Sequence, residues 1–158
     1  MRIKKVKITK EDRVSISFEK RNKKQEYDEY SMTCSEKAAP SFYSRLNDLR
    51  RHVIDMCELP LNYLDRITVR GVSFSYGGDS ETMGATIISR MQLKDSITDL
   101  NLNTPHKTEE YYNDSENGDP MTLLSGDCVN DLIEVQEQCI KYINGEREQG
   151  SLFKEAKG

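Results

Sequence analysis

Apolar and polar residues alternate in two runs of the first third of the chain, at residues 14–18 and 30–34, and less regularly in a weaker run at residues 3–8, where Ile3, Val6 and Ile8 are apolar. A period of two places every second side chain on the same face, so each run predicts a half-buried β-strand. Short turns rich in charged residues join the runs. The pattern therefore predicts an antiparallel meander.

The period changes to that of a helix after Pro40. Successive apolar residues lie four, three, four and four positions apart, namely Phe42, Leu46, Leu49, Val53 and Cys57. This spacing forms one apolar stripe on a helix. Proline fits the first helical turn, and Pro60 marks the far boundary. One helix is predicted between the two prolines.

Two further strands form a predicted hairpin. The alternation that begins at Ile67 slips by one residue at Gly71, which is typical of a β-bulge. The turn at residues 77–80 joins this strand to a second alternating run at residues 83–93. Ser89 is the polar exception in that run.

No periodicity extends through residues 94–125, which are rich in Asn, Asp, Gly and Pro. A loop of this length is functional or flexible. Helical periodicity returns after Ser125, which is placed to cap the helix, and ends at Asn144-Gly145. The predicted inner stripe of this last helix consists of Val129, Leu132, Ile133, Gln136, Ile140 and Ile143.

These elements predict an α+β fold, with an antiparallel sheet of about five strands and two packed helices in the order βββαββα. A single domain is expected over residues 1–146, and it includes the partly flexible loop at 94–125. A flexible C-terminal tail is expected at residues 147–158.

Composition narrows the setting. None of the four cysteines forms a CxxC pair, and each lies in an apolar pattern, so buried reduced thiols are favoured over disulfides or zinc. The chain has no run of about 18 apolar residues, so no membrane span is predicted. We expect a cytoplasmic protein of a bacterial host cell, with no metal and no cofactor.

Charge is distributed unevenly along the chain. Residues 1–24 hold ten Lys or Arg against three Asp or Glu, whereas residues 109–137 hold nine acidic residues and no basic one. The basic end offers candidate nucleic-acid contacts at Lys4, Lys5, Lys7, Lys20, Arg21, Lys23 and Lys24. Nearby aromatic residues at positions 18, 27 and 30 are candidates for stacking on bases. Because no known nucleic-acid motif accompanies this run, a solvated face is the preferred interpretation.

The segment Gln149-Gly150-Ser151-Leu152-Phe153 follows the last predicted helix. It resembles the peptide that binds the bacterial DNA sliding clamp, Gln-Leu-(Ser/Asp)-Leu-Phe. Gln149, Ser151, Leu152 and Phe153 match that pattern, and Gly150 replaces the usual Leu. The glutamine would hydrogen-bond at the rim of a pocket while Leu152 and Phe153 fill an apolar groove. Alternatively, Leu152 and Phe153 fold back and cover the last helix.

A wider resemblance covers most of the chain. The stretch from Ile67 to Pro105, with Ser75–Gly78, Met83-Gly84 and Leu102–Lys107, resembles small uncharacterised proteins of bacteriophages and prophages of gut Firmicutes. The resemblance implies a phage or prophage setting and no particular activity. In that setting a ligand of the host clamp or an anti-defence factor is favoured over a metabolic enzyme.

Other chemistry is sparse. Asp48 and His52 lie four residues apart, so they are expected to meet on one helix face as a surface contact. His106 is an isolated loop histidine. Residues 77–80 lack the phosphate-loop pattern, and the acidic stretch at 109–119 lacks calcium-loop spacing. We therefore predict a protein that is not an enzyme.

Three functional hypotheses follow. The leading one is a non-enzymatic accessory protein of DNA metabolism that binds the host sliding clamp through Gln149, Ser151, Leu152 and Phe153. The second is an anti-defence inhibitor that acts by protein or small-ligand binding, with the 94–125 loop and the Tyr76–Ser80 turn as its surface. The third is a sequence-independent binder of single-stranded DNA. The oligomeric state stays open.

Overall fold

The computed structural model describes residues 1–78, 81–109 and 120–148, and these residues form seven strands and three α-helices. The α+β class is confirmed. The strands are β1 (Arg2–Ile8), β2 (Val14–Arg21), β3 (Tyr27–Cys34), β4 (Ile67–Gly77), β5 (Thr82–Met91), β6 (Leu100–Asn103) and β7 (Lys107–Thr108). The helices are α1 (Pro40–Asn47), α2 (Arg50–Met56) and α3 (Gly126–Ile143), with short 3₁₀ segments at Leu61–Arg66 and Pro120–Thr122.

The strands form one antiparallel sheet in the order β3-β2-β1-β4-β5-β6, and β7 also pairs with β5. The predicted meander and hairpin are both present. They are joined through the pairing of β1 with β4, which places the N-terminal strand in the middle of the sheet. The sheet has more strands than the five predicted.

The additional strands come from residues 94–125, which the sequence predicts as a loop. β6 pairs with residues 88–91 of β5, and β7 pairs with residues 84–85 of the same strand. Between them, Pro105 has no N–H to donate to the sheet. Thr104 continues the pairing instead, since its N–H donates to the Ile87 carbonyl at 3.0 Å and its Oγ1 accepts from the Ile87 N–H at 2.9 Å.

The bulge at Gly71 is confirmed, and its cause is a close approach of two backbones. The pairing of β4 with β5 skips one residue between Val69 and Gly71. A Cβ atom on Gly71 would lie 2.1 Å from the Val6 carbonyl oxygen of β1. β1 has its own irregularity between Ile3 and Lys5, which accounts for the odd spacing of its apolar residues.

The predicted helix between Pro40 and Pro60 is two helices, α1 and α2. At Leu49 the amide bonds to the Leu46 carbonyl three residues back, and the His52 amide likewise bonds to Leu49. These tighter bonds separate α1 from α2. Leu49 itself stays fully buried, so the apolar stripe continues across the break.

The core lies between one face of the sheet and the helices. α1 and α2 contact β4, and α3 contacts β1 and α1. The capping residue Ser125 is confirmed, since its hydroxyl accepts a hydrogen bond from the Cys128 amide at 3.1 Å. The predicted inner stripe of α3 is wrong in part, because its buried residues are Cys128, Leu132, Val135, Gln138, Cys139 and Tyr142.

Candidate functional site

The face of the sheet opposite the helices is polar and accessible. We call it the polar face, and it consists of Lys5, Lys7, Ser15, Ser17, Ser31, Thr33, Ser73, Ser75 and Thr86. The strand register places Ser31, Ser17, Lys5, Ser73 and Thr86 in one row across five strands. Neighbouring strands lie about 4.8 Å apart, so this row is roughly 19 Å long. The alternation that buries the inner face also produces this outer one.

The basic residues of the first two strands fall into separate groups. Lys5 and Lys7 project from the polar face and are exposed. Lys4 lies 3.6 Å from Glu19, and Arg21 lies 3.7 Å from Glu81. Lys20, Lys23 and Lys24 are exposed near the β2–β3 turn. The structure therefore does not gather all seven candidates into one patch.

One end of the sheet holds a cluster of charged and aromatic side chains around Arg2. Its guanidinium lies 3.3 Å from Glu19 and 3.0 Å from Glu81, and it stacks 3.7 Å above the Tyr27 ring. The candidate stacking residue Phe18 is buried on the inner face, where its ring packs 5.5 Å from that of Tyr30. Phe18 is therefore not available to a base.

His52 pairs with a partner distant in sequence. The helix break turns it away from Asp48, and its Nε2 lies 2.7 Å from Asp131 Oδ2 on α3. Arg51 donates to the same oxygen at 3.0 Å. Burial alone would raise the pKa of Asp131, but the hydrogen bonds from His52 and Arg51 outweigh it and hold that pKa below its ordinary value.

A cavity of about 190 Å³ beside this pair also contacts Cys128 and Lys107. A cysteine, a histidine and an aspartate are thus neighbours, as in some nucleophilic sites. Burial raises the pKa of Cys128 to about 12, so its sulfur is a thiol at neutral pH rather than the thiolate that attacks. The arrangement is that of a core cysteine beside an ion pair.

His106 has a partner that the sequence did not reveal. Its Nε2 and the Ser75 hydroxyl share a hydrogen bond of 2.7 Å at the margin of the polar face. Gly84 provides the space, since a Cβ there would lie 2.6 Å from both atoms. These three residues come from separate segments of the chain, and the fold brings them together.

The residues that precede the clamp-like motif are anchored to the domain. The Arg147 side chain is buried, stacks 3.6 Å above the Tyr142 ring and donates to the Tyr142 carbonyl at 2.6 Å. The Glu148 amide donates to the Lys37 carbonyl at 3.0 Å. Residues 147 and 148 therefore belong to the domain, whose boundary was predicted at 146. Gln149, Ser151, Leu152 and Phe153 lie outside the described residues.

Two further segments with candidate chemistry lie partly outside the described residues. Most of the acidic stretch at 109–119 is outside them, as are residues 79 and 80 of the glycine turn. Within the described parts of the chain, no group of three His, Cys, Asp or Glu side chains is placed to hold a metal ion. Among the described helices, none is long and apolar enough to cross a membrane.

No protein-family model matches the sequence, and neither a curated protein nor a solved structure is significantly similar to it.

Proposed function

We propose that this chain is a non-enzymatic accessory protein of phage or prophage DNA metabolism, held on the host's DNA sliding clamp by residues Gln149–Phe153. The observation that carries the proposal is the position of the motif. The four matching residues begin directly after Glu148, the last described residue, which is bonded to the backbone of the domain.

The anchoring of residues 147 and 148 supports this use of the motif. Arg147 and Glu148 fix the chain at the surface next to Lys37, directly before the motif in sequence. A peptide tethered at one fixed point stays close to the domain while its side chains engage a partner. The bound clamp would hold the domain near DNA.

The chemistry of the motif matches a groove on a partner protein. Leu152 and Phe153 would each bury an apolar side chain, which contributes about 1.5–3 kcal/mol per residue. The Gln149 side-chain amide would donate and accept hydrogen bonds at the rim of the same groove. Gly150 offers no side chain where the clamp peptide usually has Leu, so we expect a weaker peptide than the full consensus.

The test is a titration of the full-length chain with purified bacterial sliding clamp, in which binding is measured by calorimetry or fluorescence anisotropy. We expect Leu152→Ala/Phe153→Ala to weaken binding at least a hundredfold. Gly150→Leu restores the consensus and should tighten binding by roughly tenfold. A matched control, Lys154→Ala/Glu155→Ala, changes two adjacent residues outside the motif without altering net charge, and it should bind as the wild type does.

The same variants distinguish the alternative in which Leu152 and Phe153 cover the last helix. In that case the double alanine variant would lose about 2–5 kcal/mol of unfolding free energy for each truncated core residue. The clamp proposal expects unchanged stability and lost binding. Equal clamp affinity of the wild type and the double variant would refute it.

A further inference from the structure

The polar face carries a charge pattern that the clamp proposal does not use. Its Lys5 and Lys7 lie at adjacent outward positions of β1, the strand in the middle of the sheet. Among the described residues neither lysine has a carboxylate within 4.0 Å, whereas Lys4 and Arg2 are both paired with Glu19. Two unneutralised cations therefore stand at the centre of this face.

The surroundings of the two lysines are hydroxyl groups. Lys5 lies opposite Ser17 on one side and Ser73 on the other, and Lys7 lies opposite Ser15 and Gly71. The acidic residues Glu19 and Glu29 are paired one row beyond Ser17 and Ser31, outside the polar face. The two central rows of the face contain none. The face is therefore locally cationic although the whole chain has a net charge of −4.

This combination matches the phosphate backbone of a nucleic acid. Lysine ammonium groups and Ser or Thr hydroxyls donate hydrogen bonds to phosphate oxygens, and such contacts position a nucleic acid without reading its bases. No aromatic ring lies in the two central rows, so stacking on bases contributes nothing there. The serine side chains beside the lysines are small, so that a nucleic-acid backbone can approach both lysines.

His106 extends the face toward β5. It lies over Gly84 and holds the Ser75 hydroxyl at 2.7 Å. The Ser75–His106 pair thus supplies further hydrogen-bonding groups in the row next to the one that contains Ser73.

We propose that the polar face binds the phosphate backbone of a nucleic acid, independently of sequence, through Lys5, Lys7, the flanking hydroxyls and His106. Of the candidates in the sequence, this site keeps only Lys5 and Lys7. Lys4 and Arg21 are paired with acids, and Lys20, Lys23 and Lys24 lie near the β2–β3 turn, whereas residues from β4 and from the segment after β6 are added. This assignment does not rest on the clamp peptide.

The test is fluorescence anisotropy of the full-length chain with a labelled 30-nucleotide single strand and with a 30-base-pair duplex, beginning at low salt. Lys5→Glu/Lys7→Glu should weaken binding at least tenfold. Lys23→Glu/Lys24→Glu makes the same change in net charge at the β2–β3 turn, and we expect less than a threefold effect. The two nucleic acids distinguish which form the face prefers.

Salt dependence gives a second measurement that does not depend on the glutamate variants. In a plot of the logarithm of the binding constant against the logarithm of salt concentration, each neutralised phosphate contributes about −0.7 to the slope for a single strand and about −0.9 for a duplex. Replacing both lysines by alanine should therefore reduce the slope by roughly 1.4 or 1.8. Equal losses in the two glutamate variants, or no binding at low salt, would overturn the proposal. The Leu152→Ala/Phe153→Ala variant should bind nucleic acid as the wild type does.

Discussion

Replacing Gly71 by alanine tests the central contact of the sheet. The added Cβ would lie 2.1 Å from the Val6 carbonyl oxygen and 2.9 Å from the Lys7 Cα. Both are backbone atoms of β1, so no side-chain rotation can relieve the contact. The two strands must separate at this point for the variant to fold.

The size of the effect follows from the pairing of β1 with β4. Only three residue pairs join these strands, and Lys7 opposite Gly71 is the last of them. Overpacking a close contact costs about 1–3 kcal/mol, and more when the backbone itself must move. We therefore expect Gly71→Ala to lower the free energy of unfolding by at least about 3 kcal/mol, where a whole domain has roughly 5–15 kcal/mol. At about 2–4 °C per kcal/mol, the melting temperature should fall by roughly 6–12 °C.

Two other glycines provide matched controls. At Gly84 the atoms that a Cβ would meet are the ends of the His106 and Ser75 side chains, which can rotate, so we expect a loss of about 1 kcal/mol. At Gly126 no atom lies within 4 Å, and alanine is the better helix former, so that variant should be as stable as the wild type or slightly more so.

The assay is urea unfolding followed by far-ultraviolet circular dichroism, with the slopes compared to verify that the variants share one unfolding transition. The expected order of stability is Gly126→Ala, then Gly84→Ala, then Gly71→Ala. A Gly71→Ala variant within 1 kcal/mol of the wild type would refute the reasoning, as would equal losses at Gly71 and Gly84.

Two further predictions concern buried groups. Asp131→Asn should lower the free energy of unfolding by about 1–2 kcal/mol at pH 7. The pKa of Asp131 is lowered in the fold, so its stabilising effect is present above about pH 4 and is lost as pH falls through that lowered pKa. The difference in stability between the variant and the wild type should therefore narrow at acidic pH. The exposed Asp65→Asn is the control, and a gap that does not change with pH would contradict the assignment. Burial raises the pKa of both Cys128 and Cys139 to about 12, so a thiol reagent at pH 8 should modify at most Cys34 and Cys57 before unfolding; reaction of a third thiol in the native protein would be inconsistent with this packing.

Strands could be predicted where one face is covered. Apart from the irregularities between Ile3 and Lys5 and between Val69 and Gly71, strands β1, β2 and β4 bury alternate side chains over most of their length, so their sequences alternate there. β6 and β7 are short strands at the edge of the sheet, and Leu100 of β6 is largely exposed. Strands this short show no alternation. Besides their pairing with β5, they are held by Leu102, which packs against the core, and by the buried Thr108, which bridges to Leu123.

Pairs between distant residues could not be predicted. His52 and Asp131 are 79 residues apart, and Ser75 and His106 are 31 apart. The four-residue spacing predicted Asp48 as the partner of His52, because that prediction assumed one continuous helix. The apolar spacing continues through the buried Leu49, so it gives no sign of the hydrogen bonds that break the helix there.

The last helix shows why apolar spacing alone could not choose its buried face. Residues 128, 132, 135, 139 and 142 are spaced four, three, four and three apart, and residues 129, 133, 136, 140 and 143 repeat the same spacing one position later. A shift of one residue is about 100° of rotation, so both stripes satisfy helical periodicity. The second stripe contains more aliphatic residues, but the structure buries the first, and Ile133 of the second stays 40% exposed. The contacts with α1 decide between them, since Gln138 accepts a hydrogen bond from Ser41 at 3.0 Å and the Tyr142 ring packs 5.9 Å from that of Phe42. Polar and aromatic partners on α1 thus set the rotation of α3, and Tyr142 in turn holds Arg147 at the point where the clamp-like segment begins.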